Sequence, residues 1–419
     1  MKFKIYTLGC KVNLYESNVM MDLLKNEGYH ETNDIADIYI INTCSVTNTA
    51  DNKSLKLVKR AIKENKDALI IVCGCMSQVE TEKLKELEDV NIIIGNVNKS
   101  KIVDYIKNYK NKLIDIKDIL NYKEFENLSL NNFNKTRAFV KIEYGCENFC
   151  SYCIIPYTRG PVRSKKKEDV LEEVKSLINN GHKEIVLTGI HTGHYGFDDY
   201  SFSDLLLDLV KIDGLKRLRI SSIEITEIND NVLEVIKNNN ILVDHMHIPL
   251  QSGCDKILKL MNRKYDKEYF INKIETIRNI RPNMSITTDV IVGFPNETEE
   301  DFEETIKTIE KINFSKLHVF PYSKRKGTKA AVMENQVPEN IKKERVKKLL
   351  EISKKLEIDY FSKFINKEVT FIPETYKDGY IYGHTGNYLL VKKLGSETDL
   401  NNEQKALIID VNYPYVISK

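Results

Sequence analysis

The stretch that decides the fold is Tyr144-Gly145-Cys146-Glu147-Asn148-Phe149-Cys150-Ser151-Tyr152-Cys153, in which three cysteines have the spacing C-x3-C-x2-C. Three thiolates this close in sequence can converge on one metal centre. They are one ligand too few for a closed four-cysteine 4Fe-4S site, so one iron would keep an open coordination position. The spacing therefore predicts a cluster whose open iron holds a substrate or a cofactor.

Two other interpretations of this loop are a zinc knuckle and three unrelated buried thiols. Structural zinc usually takes four Cys or His ligands. No fourth Cys or His lies within ten residues on either side of the three cysteines. The iron–sulfur interpretation is therefore the favoured one.

The bulk composition bounds the class of protein. A chain of 419 residues is long enough for two or three domains. It is 42% hydrophobic and 30% charged, with a net charge of +2, so no global field attracts it to nucleic acid or membrane. No secretory signal is visible at the start, and the apolar runs are far shorter than the ~20 residues of a membrane span. We therefore expect a cytoplasmic protein without membrane attachment, in which eight cysteines are metal ligands or redox groups rather than disulfides.

Residues 1–118 alternate short β-branched runs with amphipathic helical patterns, which predicts a doubly wound α/β domain. The predicted strands are Lys4–Leu8, Ile38–Ile41, Leu69–Cys73 and Asn91–Ile94. The predicted helices are Glu16–Asn26, Ala50–Lys63, Glu80–Leu87 and Lys99–Tyr109. Residues 119–135 are polar and rich in Asn without a clear period, so we predict a linker there.

Residues 136–362 repeat a strand–helix pattern six times, which predicts a partial (βα)6 barrel with a long charged helix trailing it. The predicted strands are Ala138–Ile142, Glu184–Leu187, Arg217–Ile220, Val243–Ile248, Ser285–Ile291 and Lys316–Phe320. Catalytic groups of βα barrels lie on loops after the strands, and the three cysteines follow the first of these strands.

Residues 363–419 combine short strand patterns with turn signals, which predicts a small all-β C-terminal barrel. Its basic and acidic residues balance, so its charge gives no reason to expect RNA binding. Tyr380, Tyr382 and Tyr388 could stack on bases or fill the core of this barrel.

A second set of cysteines lies in the first domain. Cys10, Cys44 and Cys75 each follow a predicted strand, and strand ends of a parallel sheet share one edge, so the three thiols could converge. On spacing alone, buried small hydrophobic residues are an equally good interpretation. Cys73 lies inside a strand and is expected in the core, and Cys254 is also expected to be structural.

Taken together, the motifs resemble the methylthiotransferase branch of the radical S-adenosylmethionine (SAM) enzymes. Proteins of this branch combine a cysteine-bearing N-terminal domain, a radical SAM barrel and a terminal TRAM domain, and the resemblance covers nearly the whole chain. Within the branch, the stretches Thr7–Ser17, Leu187–Gly196 and His318–Arg325 resemble the MtaB type.

The resemblance implies two 4Fe-4S clusters, one that binds SAM on Cys146, Cys150 and Cys153, and an auxiliary one on Cys10, Cys44 and Cys75. It implies that SAM is split to a 5′-deoxyadenosyl radical and that a second SAM supplies a methyl group. The implied product is the 2-methylthio form of N6-threonylcarbamoyladenosine at position 37 of tRNA. A reduced flavodoxin- or ferredoxin-type electron donor is expected, and the sulfur donor is left open.

Candidate SAM contacts are polar or glycine residues at the ends of barrel strands. They are Gly189, Ser221, Glu224, Gln251, Arg263 and Asp289. Arg159 and Arg163 follow the cluster loop and could bind SAM or tRNA phosphate, or form surface salt bridges. His191, His194 and His384 are expected to be hydrogen-bonding or solvent-facing loop residues, not ligands.

Two other functions were weighed against the tRNA enzyme. One is methylthiolation of a ribosomal-protein aspartate, as in a related branch, and the other is a non-catalytic iron–sulfur protein that binds RNA. The contexts of Lys11-Val12-Asn13 and Ile190-His191-Thr192-Gly193 favour tRNA as the substrate. The complete barrel cysteine set and the polar strand ends favour an enzyme.

Overall fold

The computed structural model describes residues 1–131, 133 and 135–419. The N-terminal part is a parallel sheet of six strands in the order β2-β1-β3-β4-β5-β6. Its strands are β1 Lys2–Thr7, β2 His30–Glu31, β3 Ile38–Thr43, β4 Leu69–Gly74, β5 Ile92–Ile94 and β6 Leu113–Asp115. Its helices are α1 Lys11–Asn26, α2 Asn48–Glu64, α3 Cys75–Val79, α4 Thr81–Lys85 and α5 Ile102–Lys107.

Strand β3 shows why helices cover both faces of this sheet. Successive side chains of a strand point to opposite faces. Ile38 and Ile40 pack into the apolar cluster formed with α1 and α5, whereas Tyr39 and Ile41 pack into the cluster formed with α2, α3 and α4. The doubly wound fold is thereby confirmed. Cys73 is fully buried in the first of these clusters and is a core residue, as predicted.

The central part is a partial barrel of two three-stranded parallel sheets, β13-β10-β7 and β14-β15-β16. A parallel bridge between Leu218 and Leu242 lies where the two sheets meet. The strands in this part are β7 Arg137–Lys141, β8 Glu143–Tyr144, β9 Arg163–Ser164, β10 Glu184–Thr188, β11 Gly196–Phe197, β12 Tyr200–Ser201, β13 Arg217–Ile220, β14 His245–His247, β15 Ser285–Val292 and β16 Lys316–Pro321. The helices are α6 Ile155–Arg159, α7 Lys167–Asn179, α8 Phe202–Leu209, α9 Asp230–Asn238, α10 Asp255–Leu260, α11 Lys267–Ile280, α12 Glu299–Ile312 and α13 Glu339–Ser362. The predicted partial (βα)6 barrel is confirmed.

The differences from the predicted elements are local. The helix expected over Glu80–Leu87 is the shorter α4, Thr81–Lys85, and a separate helix, α3, ends just before it at Val79 because Glu80 has φ −117° and ψ 34°. The fourth barrel strand is only three residues long, His245–His247. Strands β2 and β6 at the edges of the first sheet were not predicted, and their two and three residues are too few to show a period.

The segment between the two α/β parts has no helix or strand among its described residues, yet it is not loosely attached. Leu128 and Leu130 are buried in the core of the barrel. The Tyr15 hydroxyl donates to the Leu128 carbonyl at 2.6 Å. This segment therefore packs between α1 and the barrel.

The C-terminal part is a closed five-stranded barrel in the order β17-β18-β19-β21-β20, as expected for a TRAM-like domain. Its strands are β17 Glu368–Lys377, β18 Tyr380–Thr385, β19 Leu390–Leu394, β20 Gln404–Asn412 and β21 Tyr415–Ser418. Phe371, Ile381 and Val391 are fully buried in its core. Helix α13 joins it to the central barrel, where the Leu317 amide donates to Ser353 Oγ at 3.0 Å.

Within the described part of the chain, we find no helix with the length and apolar character needed to cross a membrane.

Candidate active site

The three-cysteine loop lies directly after the first barrel strand β7 and the short strand β8. Gly145 enters it with φ +102°, and a Cβ there would lie 1.9 Å from the Pro161 carbonyl oxygen, so only glycine fits. The Cys146 amide donates to the Gly160 carbonyl at 3.0 Å. These contacts hold the loop against the following turn.

Arg263 reaches this loop from the far side of the barrel. Its Nη1 donates to Cys150 Sγ at 3.4 Å, its Nη2 donates to the Glu224 carboxylate, and its Nε donates to the Tyr265 hydroxyl at 3.1 Å. The side chain of Arg263 is 3% exposed. The guanidinium therefore links one cluster cysteine to a predicted SAM contact.

The chemistry of these thiols fits a bound metal cluster. Burial raises the pKa of Cys146 to about 12 and that of Cys153 further. These two thiols are thus neutral unless a cation stabilises the thiolate, which a coordinating metal ion does. The Ile155 amide donates to Cys153 Sγ at 3.4 Å, a contact that also stabilises the thiolate.

The second cysteine set converges at the carboxyl edge of the first sheet. Cys10 precedes α1, Cys44 follows β3, and Cys75 begins α3 after β4. Burial, followed by the neighbouring Cys75 and Cys10 sulfurs, raises the pKa of Cys44 to about 11. Gly9 has φ +102°, and a Cβ there would lie 2.9 Å from the Cys44 Cβ. Any larger residue at position 9 would therefore displace Cys44.

Arg159 lies behind the second set and is fully buried. Its Nη2 lies 3.9 Å from Cys10 Sγ and donates to Asn13 Oδ1. Its Nε and Nη1 have no hydrogen-bond partner among the described residues. A cationic guanidinium with spare donors beside three cysteines fits a cluster held by thiolates, which carries negative charge.

Neither cysteine set has the dimensions of a single-ion site. A tetrahedral zinc with Zn–S bonds of about 2.3 Å holds its sulfurs within about 4 Å of one another. In the described part of the chain, the one group of three ligand atoms within 4.8 Å of one another is His191, His194 and Glu227. The wider cysteine sets suit clusters better than zinc.

A cavity of about 790 Å³ occupies the interior of the barrel. All three parts of the chain line it. Cys10 and Lys11 come from the N-terminal part, His384, Tyr388 and Pro414 from the C-terminal barrel, and the rest from the central barrel and α13. Cys10 thus brings the second cysteine set to the wall of the barrel interior.

The six predicted SAM contacts fall into two neighbouring groups. Gly189, Ser221 and Asp289 line the cavity. Glu224 and Arg263 pair with each other beside Cys150. Gln251 has φ 67° and its amide donates to the Asp289 carbonyl at 2.8 Å, which places it beside the first group.

Lys11 and the cavity residues His245, His247 and His318 were not considered as site residues from the sequence. His247 Nε2 lies 3.3 Å from Asp289 Oδ1, and His245 and His247 both contact Thr287 Oγ1. Burial, followed by Arg219 and Arg137, lowers the pKa of Lys11 to about 8. Lys11 stood in the Cys10 motif, so its position was available from the sequence, but its direction into the barrel was not.

Glu143 is a further residue that the sequence did not single out. Its carboxylate accepts the amides of Ile190 at 2.8 Å and His191 at 2.6 Å, directly after the cavity residue Gly189. Burial raises the pKa of Glu143 to about 8. This carboxylate fixes the loop that follows β10.

The loop histidines behave largely as expected. His191 is buried against Glu227, and His194 is exposed and stacks on His191 with ring centroids 4.0 Å apart. His384 lines the cavity, and its Nδ1 lies 2.7 Å from the Glu374 carboxylate.

Arg159 and Arg163, predicted to bind SAM or tRNA phosphate or to form surface salt bridges, lie in the interior of the protein. Arg159 is fully buried and Arg163 is 6% exposed, and Arg163 Nη1 donates to the Tyr122 carbonyl at 3.3 Å. Both cations lie over the Tyr144 ring, at 4.8 and 5.0 Å from its centre. They hold the three-cysteine loop to neighbouring segments, and their burial argues against surface salt bridges.

Tyr388 also has a role different from base stacking. Its ring lies 4.0 Å from Arg219 and 5.2 Å from Arg137, both at the barrel strands. His245 contacts its edge, with ring centroids 4.3 Å apart. Tyr388 therefore docks the C-terminal barrel onto the central barrel.

Comparison with known proteins follows the same division of the chain. Residues 140–309 match the Radical SAM superfamily, and residues 2–95 match the Uncharacterized protein family UPF0004. The chain is 43% identical to the threonylcarbamoyladenosine tRNA methylthiotransferase MtaB of Bacillus subtilis strain 168, over 98% of this chain and 94% of that one. It is 39% identical to the MtaB protein of Thermotoga maritima, over 94% and 91%.

A more distant relative carries a different name. The tRNA-2-methylthio-N(6)-dimethylallyladenosine synthase of Clostridium perfringens strain 13 is 38% identical over 94% of this chain and 92% of its own. Among solved structures, the radical SAM methyltransferase TsrM of Kitasatospora setae is similar with a TM-score of 0.56. It covers 79% of this chain and 75% of its own at 11% identity, which shows the fold alone.

The partial barrel with its C-x3-C-x2-C loop after the first strand defines the class of radical SAM enzymes. Within that class, the chain belongs to the MtaB family of radical SAM methylthiotransferases.

Proposed function

We propose that this protein inserts a methylthio group at C2 of the adenine in N6-threonylcarbamoyladenosine at position 37 of tRNA. The observation that supports this most is Cys10, a member of the second cysteine set, in the wall of the cavity inside the radical SAM barrel. The cysteine set that would present the sulfur thereby faces the same cavity as Gly189, Ser221 and Asp289, three of the predicted SAM contacts. The names of the MtaB relatives supply the nucleoside.

The chemistry demands such a chamber. Adenine C2 carries an unactivated aromatic C–H bond that no side-chain acid or base readily attacks, so cofactors must carry the reaction. A cluster held by Cys146, Cys150 and Cys153 would supply radical hydrogen abstraction with SAM, and one held by Cys10, Cys44 and Cys75 would present the sulfur.

The protein's own residues bind and orient the reactants. Arg263 holds Cys150 and Glu224 in fixed relation through two of its nitrogens, and we assign Glu224 to a polar group of SAM. Gly189 leaves the cavity wall open where a Cβ would lie 2.7 Å from Glu143 Oε2. Ser221 and Asp289 offer a hydroxyl and a carboxylate in the same cavity, and Gln251 supports Asp289 from the adjoining loop.

The proposal is tested by nucleoside mass spectrometry of tRNA from cells with and without the gene. We expect 2-methylthio-N6-threonylcarbamoyladenosine to disappear with the gene and to return with the intact gene on a plasmid. A plasmid carrying Cys150→Ala serves as the matched negative control. Unchanged tRNA, or a methylthio group found on a ribosomal-protein aspartate instead, would overturn the assignment.

The two cysteine sets are separated by triple alanine variants. Anaerobically reconstituted protein is expected to contain about eight irons per chain, as two 4Fe-4S clusters, and either triple variant about four. The Cys10, Cys44 and Cys75 variant should still cleave SAM to 5′-deoxyadenosine and yield no methylthiolated tRNA. Full transfer by that variant would remove the second set from the mechanism.

The electron donor and the location belong to the same proposal. A reduced flavodoxin- or ferredoxin-type protein is the expected donor, and the tRNA substrate places the enzyme in the cytoplasm. Methylthiolation that proceeds with reduced flavodoxin or ferredoxin supports the donor, and dependence on a different reductant argues against it.

A further inference from the structure

Lys11 is a cation without a partner in the wall of the cavity. It begins α1, one residue after Cys10, and its side chain is partly buried. Within the described part of the chain, its ammonium group makes no hydrogen bond and no ion pair. The other lysine in the cavity wall, Lys316, pairs with Glu357 at 2.8 Å. A partly buried ammonium without an anion is costly, so the site lacks a negative group.

The charges around Lys11 do not supply that group. Arg137 and Arg219 act on it from the barrel strands, Asp289 acts from β15, and the preceding Cys10 is a thiol of the second cysteine set. Asp289 Oδ1 already lies 3.3 Å from His247 Nε2.

Each of the two arginines has a carboxylate partner outside the cavity wall. Arg137 pairs with Glu374 at 3.0 Å, and Arg219 pairs with Glu184 at 2.8 Å. The two guanidinium groups make the environment of Lys11 more positive, and a positive environment favours the binding of an anion.

The proposed substrate carries such an anion. The threonylcarbamoyl group on N6 ends in a carboxylate, which plain adenosine lacks. The dimethylallyl group named for the Clostridium perfringens relative is uncharged. N6 and C2 lie on the same edge of adenine, on either side of N1, so an anchor for the N6 substituent beside Cys10 also brings C2 to the second cysteine set.

We propose that Lys11 binds the carboxylate of the threonylcarbamoyl side chain and thereby selects the charged nucleoside. This inference rests on the proposed function and deepens it. A charge-assisted hydrogen bond from an ammonium to a carboxylate in a partly dry cavity is among the stronger polar contacts. The residue acts on substrate choice and position, and takes no part in cleaving SAM.

The test compares two tRNAs with the reconstituted holoenzyme. One carries N6-threonylcarbamoyladenosine, and the other carries the same group with its carboxylate as a methyl ester. We expect wild type to prefer the acid by about 10- to 100-fold in kcat/KM. Lys11→Met should lower kcat/KM on the acid by the same factor and leave the ester rate nearly unchanged. Lys11→Arg, which keeps the charge, should restore part of the preference.

Lys25→Met is the matched control, because Lys25 lies in the last turn of the same helix, 42% exposed and paired with Glu31. It should behave as wild type on both tRNAs. Iron content and 5′-deoxyadenosine formation are measured for every variant, so that loss of the second cluster in Lys11→Met is seen directly.

The possible failures are distinguishable. No product from wild type on the acid tRNA would refute the proposed function itself. Wild type that uses acid and ester equally well would refute the role of the carboxylate, whatever the variants do. A Lys11→Met enzyme that keeps both clusters and the full preference for the acid would refute the assignment to Lys11.

Discussion

At the scale of single residues, Arg263 connects the cluster loop to the rest of the site. Its guanidinium contacts Cys150, Glu224 and Tyr265 at once. A lysine ammonium is a compact point charge and lacks the wide planar fork with which the guanidinium spans these three partners. Arg263 is therefore the residue whose conservative replacement should be most informative.

We predict that Arg263→Lys weakens SAM binding by about 10- to 100-fold, the loss of one to two charge-assisted hydrogen bonds. The measurement is the Kd of SAM for the reconstituted enzyme, together with its iron content. Lys264→Arg, at the neighbouring exposed position, is the control and should bind SAM normally. Normal SAM affinity in Arg263→Lys with intact clusters would contradict the role given to this arginine.

Single residues also show which features of the site could not be predicted from sequence patterns. Cysteine spacing indicated the barrel set without any structure, because its members lie within one loop. Lys11 and Arg159 both belong to motifs that the sequence analysis had identified. Their directions, into the cavity and toward Cys10, depend on how two parts of the chain dock, and no local period carries that information.

At the scale of elements, α1 joins the first sheet to the barrel through a buried ionic cluster. The Glu16 carboxylate contacts Lys99 and lies 3.1 Å from Lys141 at the first barrel strand. Burial alone would raise the pKa of Glu16, but the two lysines outweigh it and lower the pKa from its ordinary 4.5 to about 2. The helix was predicted from Glu16 and begins earlier, at Lys11.

We predict that Glu16→Gln lowers the free energy of unfolding by about 3–5 kcal/mol at pH 7, because it leaves buried ammonium groups without a counterion. A carboxylate with a depressed pKa stabilises the fold above its unfolded pKa and loses that effect as the pH falls. The gap between wild type and variant should therefore narrow from pH 4.5 toward pH 2.

Urea unfolding of anaerobic protein, followed by circular dichroism at several pH values, measures this gap. Glu27→Gln at the end of the same helix, where Glu27 forms an exposed pair with Lys107, is the control and should change stability little. A gap that is constant with pH would show that the Glu16 cluster is not the titrating group.

The types of the longer helices and strands could be predicted from their hydrophobic period and length. The shortest elements, such as β2 and β6, could not, because they have too few residues to show a period. The six barrel strands and the long helix α13 were predicted within a few residues, since buried runs such as Ile286 and Val290 in β15 are long enough to show their pattern. The contact of Tyr388 with Arg219 could not be predicted from the sequence. A tyrosine in a strand-rich segment shows the same sequence pattern whether it lies in a core or at an interface.

At the scale of the whole molecule, the C-terminal barrel is part of the reaction chamber as well as an appended module. Arg217 pairs with Glu403 at 2.8 Å, and Arg219 donates to the Gly386 carbonyl at 3.0 Å. Together with Tyr388, these contacts place His384 and Pro414 in the cavity wall. Loss of this docking should therefore affect catalysis as well as tRNA binding.

We predict that Tyr388→Ala loosens the docked barrel, since each cation–ring contact contributes about 0.5–2 kcal/mol. Limited proteolysis between α13 and β17 should become several times faster, and methylthiolation should fall while iron content stays the same. Tyr376→Ala, at a site 42% exposed in the same barrel, should resemble wild type. Equal proteolysis of the Tyr388→Ala and Tyr376→Ala proteins would argue against the interface.

Because all three parts of the chain line the cavity, the order in which they are synthesised affects when the cavity is complete. A ribosome delivers the N-terminal part first, so both cysteine sets have left it before residues 384–414 emerge. During that interval the cavity lacks the wall that the C-terminal barrel forms, so Cys10, which lines the cavity, is accessible from that side. The order of synthesis thus leaves a period in which iron and sulfide can reach Cys10 before the C-terminal strands fold and cover the cavity.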